Sequence, residues 1–202
     1  MRVITGSARG RRLKGPPSPA TRPMADKIKG ALFNTLTSLR VEPEIVLDLY
    51  AGTGSLGIEA LSRGATRADF VDQGREQCAT IRSNLAITGF ESVGKVHQTS
   101  VKSYIGVGRE VYDFVIVDPP YADPDIIETL ELLGASSLVQ SGTIVVIGHW
   151  PRLEMPERIG NLERLRNRCH GDSCFSVYDV VLNEASEDAG PSAGNNEDAG
   201  QS

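Results

Sequence analysis

The residues best suited to chemistry are Asp118-Pro119-Pro120-Tyr121. Two consecutive prolines fix a rigid backbone with no N–H to donate. The Asp118 carboxylate and the Pro119 carbonyl are left as acceptors, and Tyr121 supplies a flat apolar wall. An exocyclic amine on a nucleobase calls for that set, because it presents two N–H donors and a ring whose plane must be held. The amine's lone pair is delocalised into the ring, so the nitrogen attacks poorly. Two acceptors orient it and offset the positive charge that grows there during in-line methyl transfer, a contact of a type worth about 10²–10³ in rate. Asp118 need not be a strong base, since the methylated nitrogen releases its proton readily. The plain alternative is a proline-rich strand exit with Asp118 as a turn residue.

A second constellation lies upstream, Asp48-Leu49-Tyr50-Ala51-Gly52-Thr53-Gly54-Ser55-Leu56-Gly57. Glycines there let a backbone approach a ligand that side chains would exclude. Gly52-x-Gly54-x-x-Gly57 is also the dinucleotide fingerprint. Asp48 decides between the two, because a carboxylate beside a pyrophosphate repels it. S-adenosylmethionine has no phosphate and carries a cationic amino-acid end. Asp48, Gly52, Thr53, Gly54 and Gly57 are therefore candidate cofactor contacts, with Asp118 bordering the same ligand. Asp72, 20 residues past Gly52, ends the next strand, where a carboxylate can accept from ribose hydroxyls.

Both motifs need strands to deliver them. From residue 41 the chain alternates strand, turn and helix: strands at Ile45–Tyr50, Ala68–Asp72, Lys95–Thr99, Tyr112–Val117 and Thr143–Ile147, with helices at Leu56–Arg63, Glu76–Thr88 and Ile126–Leu138. Late strands at Leu162–Cys169 and Phe175–Leu182 are joined at His170-Gly171-Asp172 as an antiparallel edge pair. The expected class is α/β, a Rossmann-like fold with a mostly parallel seven-stranded sheet and an antiparallel edge strand. An N-terminal β-hairpin (Arg2–Thr5, a turn over Gly6–Gly10, Arg11–Lys14) precedes a proline-rich connector and a helix from Met24 to Leu39. The helix buries Ile28, Ala31, Leu32, Leu36 and Leu39 on one face. Three segments follow: a basic extension over 1–40, the main domain over 41–183 and an acidic tail over 184–202. The tail has no aromatic or β-branched residue and is expected to be disordered.

With 202 residues, 40% of them hydrophobic, the chain suits one soluble domain and contains no apolar run near the ~20 residues of a membrane span. Charges at the N-terminus exclude a signal peptide, and three cysteines without paired spacing exclude a zinc site and suit a reducing cytoplasm. No histidine stands at metal spacing, so no metal is expected. Cys169 and Cys174 flank a turn, but nothing requires a bridge; Trp150 either shapes the base pocket or covers the core, and the second reading is preferred. Residues 1–40 hold nine Lys/Arg against Asp26 alone, the charge layout of a chain that grips a polyanion at one end.

Taken together, RVITGSARGRRLKGP, TRPMADKIKGALFNTL, VLDLYAGTGSLGIEALSRGA, FVDQGREQCATIRSNL, VDPPY and HGDSCFSVYDV resemble the RsmD family, bacterial 16S ribosomal RNA guanine-N2 methyltransferases. The similarity runs over about residues 1–183. It implies a class I S-adenosylmethionine-dependent methyltransferase fold, that cofactor as donor, and one guanine of 16S rRNA in the assembling small subunit as acceptor. On matching positions it sets Asp48, Gly52, Gly54 and Asp72 around the cofactor and Asp118, Pro119, Pro120 and Tyr121 around the base. Arg22 and Asp26 come near the cofactor and the RNA. Relatives often carry Glu at Asp72, an acid where this chain has Thr99-Ser100, and a glutamate where Gly148-His149 stands. Ser100 then replaces the usual acid at the adenine side. Arg9, Arg11, Arg12 and Lys14 on the hairpin suit RNA phosphates. A cytoplasmic monomer is expected. The competing functions are a DNA amino-methyltransferase acting on adenine N6 or cytosine N4, a non-catalytic RNA-binding assembly factor and, more distantly, an NAD-dependent oxidoreductase.

Overall fold

The computed structural model describes residues 1–16, 26–120 and 123–182. Arg22, Tyr121 and the tail at 184–202 therefore lie outside the described residues. Five parallel strands form the centre: β1 (Ile45–Leu49), β2 (Arg67–Asp72), β3 (Gly94–Gln98), β4 (Phe114–Val117) and β5 (Ile144–His149). Buried on both sides, β1, β4 and β5 read as near-continuous apolar runs, as a sheet covered on both faces demands. The remaining strands are β6 (Arg158–Ile159), β7 (Leu162–His170) and β8 (Ser173–Val180), and the order across the sheet is β3-β2-β1-β4-β5-β8-β7-β6. One face packs against α1 (Asp26–Ser38), α2 (Ser55–Ser62) and α3 (Arg75–Thr88), the other against α4 (Val101–Val107) and α5 (Ile126–Gly134).

The class and layering are those expected from the sequence, with two differences. An eighth strand, the two-residue β6, pairs with β7; two residues carry no periodicity to detect. The late strands form the expected antiparallel pair at this end of the sheet, with β8 on the inside pairing directly with β5. Helix α4 has no counterpart in the sequence reading. Its seven residues are too few for a clear pattern, and its start depends on Ser100 as N-cap. Cys169 and Cys174, which flank the expected turn and are directly opposite in the β7–β8 register, are disulfide-bonded, a bridge the sequence alone did not require. No described helix is long and apolar enough to cross a membrane.

The N-terminal hairpin has one ladder bridge, Arg2 to Arg12, supported by hydrogen bonds from Val3 N–H to Arg11 (3.0 Å) and from Gly10 N–H to Val3 (2.9 Å). Its Val3, Ala8 and Leu13 enter the same core as α1 and the sheet. A buried ion pair fixes it there. Lys29 of α1 and Glu59 of α2 have 0% exposed side chains, with Nζ 3.3 Å from Oε2. Glu59 also accepts from the N–H groups of Ile4 (2.8 Å) and Thr5 (3.0 Å), while Lys29 donates to the Arg2 carbonyl (2.8 Å). Both charges are thus satisfied by the partner and by hairpin backbone, which is what makes their burial tolerable. Gly6, at φ 86°, lies so close to α2 that an added Cβ would sit 1.6 Å from the Ser62 carbonyl oxygen. Farther along, Asn84 of α3 accepts from Lys14 N–H (2.8 Å) and donates to the Thr53 carbonyl (2.9 Å).

Glu59→Gln leaves Lys29 as an uncompensated buried charge. We expect a loss of about 3–5 kcal/mol in denaturant unfolding, largely recovered when Lys29→Met is added.

Candidate active site

The parallel register decides where the carboxylates meet. Leu49 lies opposite Val71 on one side and Val117 on the other, so Asp72 and Asp118 flank Tyr50 at one level. Two strand spacings separate them, about 10 Å. Asp48 sits beneath that rim, 1% exposed. Burial first, then the like charges of Asp118 and Asp72, hold the Asp48 carboxyl well above the usual carboxylate range, though its hydrogen bond from Gly57 N–H pulls the other way. No described lysine or arginine pairs with any of the three. The cleft is anionic.

Each residue of the glycine turn has a distinct job. Tyr50 adopts φ 57°, rare for a bulky residue, and turns the chain over the sheet edge. Its hydroxyl donates to Asp123 Oδ2 (3.0 Å), tying this turn to the segment after the prolines. Gly52, at φ 56°, has only the Tyr50 carbonyl oxygen, 3.8 Å away, near where a Cβ would stand, and its N–H donates to Asp72 Oδ2 (2.9 Å). Asp72 Oδ1 accepts from Gly74 N–H (2.8 Å), so the carboxylate is oriented with lone pairs still to offer. Gly54 and Gly57 are glycine for packing: a Cβ on Gly57 would meet the Phe70 ring at 2.5 Å. Asp48 Oδ2 accepts from Gly57 N–H (2.9 Å) and so satisfies a donor in the first turn of α2 that Gly54, as N-cap, cannot reach. Thr53 is 4% exposed, its hydroxyl turned to the Met1 sulfur (3.6 Å).

Ser100 accepts from Ser103 N–H (3.2 Å) and donates to the Ser103 hydroxyl (2.7 Å), capping α4. Its structural work is therefore local.

Asp118 stands one residue past β4, partly buried, and burial pushes its carboxyl up to about 6. No described residue donates to its carboxylate or to the Pro119 carbonyl, whereas the Pro120 carbonyl accepts from Asp123 N–H (3.1 Å). Beside this pair opens a cavity of about 410 Å³, walled by Pro119, Pro120, Gly148, His149, Trp150 and Arg152. Trp150 does not cover the core. It is 41% exposed and forms a wall of the cavity, because the chain turns outward after β5. His149 is buried: Nδ1 lies 2.9 Å from the Trp150 carbonyl, an obligate acceptor, and so carries the proton. Nε2 then accepts from the Ser176 hydroxyl (3.0 Å). Burial lowers the His149 pKa and keeps the ring neutral. Arg9, Arg11, Arg12 and Lys14 are all exposed on the hairpin. Among the predicted site residues the structure gathers Gly52, Asp72, Asp118 and Pro119 on one rim with Asp48 beneath it; the hairpin cations form a separate group. Tyr50 and Arg152 were missed, although Pro151 beside Arg152 is a turn signal.

Sheet order, anionic rim and open acceptor pair make this the fold of class I S-adenosylmethionine-dependent methyltransferases. An RNA methyltransferase from Salinibacter ruber, solved with S-adenosyl-L-homocysteine, shares the fold at a TM-score of 0.63 and 16% identity, covering 83% of this chain and 98% of that one. The chain belongs to the family described as Conserved hypothetical protein 95, the RsmD family, which it matches over residues 1–179. It is 30% identical to Ribosomal RNA small subunit methyltransferase D of Escherichia coli, over 88% of this chain and 89% of that protein. With YlbH of Bacillus subtilis the identity is 33%, over 88% and 98%. The solved structure of Escherichia coli yhhF superposes at a TM-score of 0.75 with 29% identity, over 90% of this chain and 98% of that one.

Because the Ser100 hydroxyl caps α4, Ser100→Ala costs about 1 kcal/mol, a drop of about 2–4 °C in Tm. Ser100→Asp, also a good cap, restores it; thermal unfolding of the two variants checks both values.

Proposed function

We propose that this protein transfers a methyl group from S-adenosylmethionine to the N2 amine of one guanine in 16S rRNA during small-subunit assembly. One observation carries the reading: the Asp118 carboxylate and the Pro119 carbonyl, neighbours on the rim, are both open to a donor with two N–H groups. The cofactor fits the residues present. Asp72 and Asp118, with no basic partner among the described residues, favour a cationic ligand and disfavour a pyrophosphate, and Gly52, with no side chain, admits a ligand against the backbone. When bound, S-adenosylmethionine supplies an electrophilic methyl on a cationic sulfonium. Asp72 accepts from ribose hydroxyls, while Asp48 stays beneath, accepting from Gly57 N–H and holding α2 in register. Ser100 borders the adenine side while capping its own helix.

Asp118 and Pro119 accept the two amine protons, which fixes the nitrogen and offsets charge as the new bond forms. Pro120 locks the corner, and Tyr121 is assigned the stacking wall. The amine proton leaves to solvent or Asp118 after transfer. Arg9, Arg11, Arg12, Lys14 and Arg22 are assigned to RNA phosphates, the first four from the rigid hairpin. Residues 1–40 thus act as an RNA-gripping extension of a methyltransferase domain at 41–183. The rRNA substrate sets the work in the cytoplasm, and the enzyme acts as a monomer.

The test uses labelled S-adenosylmethionine with deproteinised rRNA, partly assembled small subunits, tRNA and duplex DNA. Label in small-subunit rRNA as N2-methylguanosine is expected. Label in DNA alone would identify a DNA amino-methyltransferase, and rRNA binding without label would identify a non-catalytic assembly factor.

Only the carboxylate form of Asp118 accepts from both its oxygens. With its pKa near 6, kcat/KM falls as pH drops through about 6 and is level above it. In Asp118→Asn that acid limb disappears, and the rate at pH 8 falls by about 10²–10³.

Charge reversal of Arg11 and Arg12 to Glu weakens rRNA binding and lowers the slope of log affinity against log salt by roughly 2. Filter binding across salt concentrations measures it; an unchanged slope removes these residues from the RNA contact.

A further inference from the structure

The cavity beside Asp118 and Pro119 has a second polar wall, and the groups on it can be sorted by what they have left to offer. Asp123 accepts from the Tyr50 hydroxyl on one oxygen and from Asp125 N–H on the other (3.0 Å each). Both His149 nitrogens are engaged. Arg152 differs. Its guanidinium carries five donors, and among the described residues no ion pair or hydrogen bond takes them.

The local fold presents this side chain on a fixed turn. Leu153 N–H donates to the Trp150 carbonyl (3.1 Å), closing a four-residue turn with Pro151 and Arg152 at its centre. The same carbonyl accepts from His149 Nδ1, and His149 is anchored in turn by Ser176 of β8. Pro151 restrains the turn further, since proline presets its φ. His149 therefore has a positioning role: it holds the turn that carries Arg152.

We propose that Arg152 reads the O6 and N7 edge of the target guanine, which makes it the residue that selects guanine over other amine-bearing purines. The proposal rests on the reading above that a guanine N2 is the acceptor. With that amine on Asp118 and Pro119, the far side of the purine presents O6 and N7, two adjacent acceptors. A guanidinium fork matches them with paired hydrogen bonds, whereas a purine with an amine at position 6 turns a donor toward the cation. The Trp150 indole, on the same cavity wall, gives the ring plane an aromatic neighbour.

The experiment uses the full chain and small-subunit particles reconstituted on ligated 16S rRNA. A synthetic segment carries guanosine or 2,6-diaminopurine riboside at the methylated position. Both bases keep the N2 amine and N7; they differ at position 6 and in the N1 proton, and the Arg152 variants isolate the contact at position 6. The unsubstituted enzyme is expected to prefer guanosine by about 10- to 100-fold in kcat/KM. Arg152→Ala loses about that factor on guanosine and treats the two bases within about threefold. Arg152→Lys, which keeps the charge but not the fork, falls between. A merely structural role for Arg152 would slow both substrates alike and leave the preference intact. Retention of the preference in Arg152→Ala, or its absence from the unsubstituted enzyme, overturns the proposal while the methyltransferase reading stands. If the unsubstituted enzyme does not methylate the guanosine particle, the guanine-N2 reading falls and this proposal with it.

Discussion

Parallel pairing of β1 with both β2 and β4 is the constraint on which the site depends. Once Leu49 is opposite Val71 and Val117, the residues that follow each strand must emerge on one rim. Asp72 and Asp118 then stand one strand away from Tyr50 on either side, with Asp48 beneath. A slip of a single residue would reverse the face of every side chain on the strand. The apolar residues of β1 and β4, buried on both faces, set that register firmly. The acidic rim is thus a consequence of core packing.

Two peripheral pieces are held to this frame by buried polar groups. The hairpin is tied to α1 and α2 through Lys29 and Glu59, and to α3 through Asn84, which also binds the glycine turn at Thr53. Exposed cations on a hairpin so anchored keep a fixed position relative to the rim. On the opposite side of the cleft, neutral His149 does comparable work for the turn at 150–153. This chain uses a ring there with one donor and one acceptor, both engaged.

Much of this was legible in the sequence where the signal was local. The strand-turn-helix at Asp48–Gly57 and the proline pair at 119–120 announce their geometry through backbone chemistry alone. What escaped depended on distance. Lys29 looks like a surface lysine until its partner, thirty residues on, is packed against it. Gly57 resembles a ligand-binding glycine, yet the close neighbour is Phe70, on the next strand. The Cys169–Cys174 bridge follows from the β7–β8 register, and the exposure of Trp150 from the path of one turn. Ser100 was assigned by position in the family pattern, while its hydrogen bonds belong to a helix too short to leave a periodic trace.

The central claim is that a rigid acidic corner faces the methyl-donor site across a shared cleft. A crystal structure of the protein with S-adenosylhomocysteine tests it most directly. The account predicts the thioether sulfur directed at the space bounded by Asp118 and Pro119, with the ribose on Asp72 and the backbone of Gly52 beneath. A sulfur directed away from that corner, or an Asp118 carboxylate consumed by the ligand's own amino group, would contradict it.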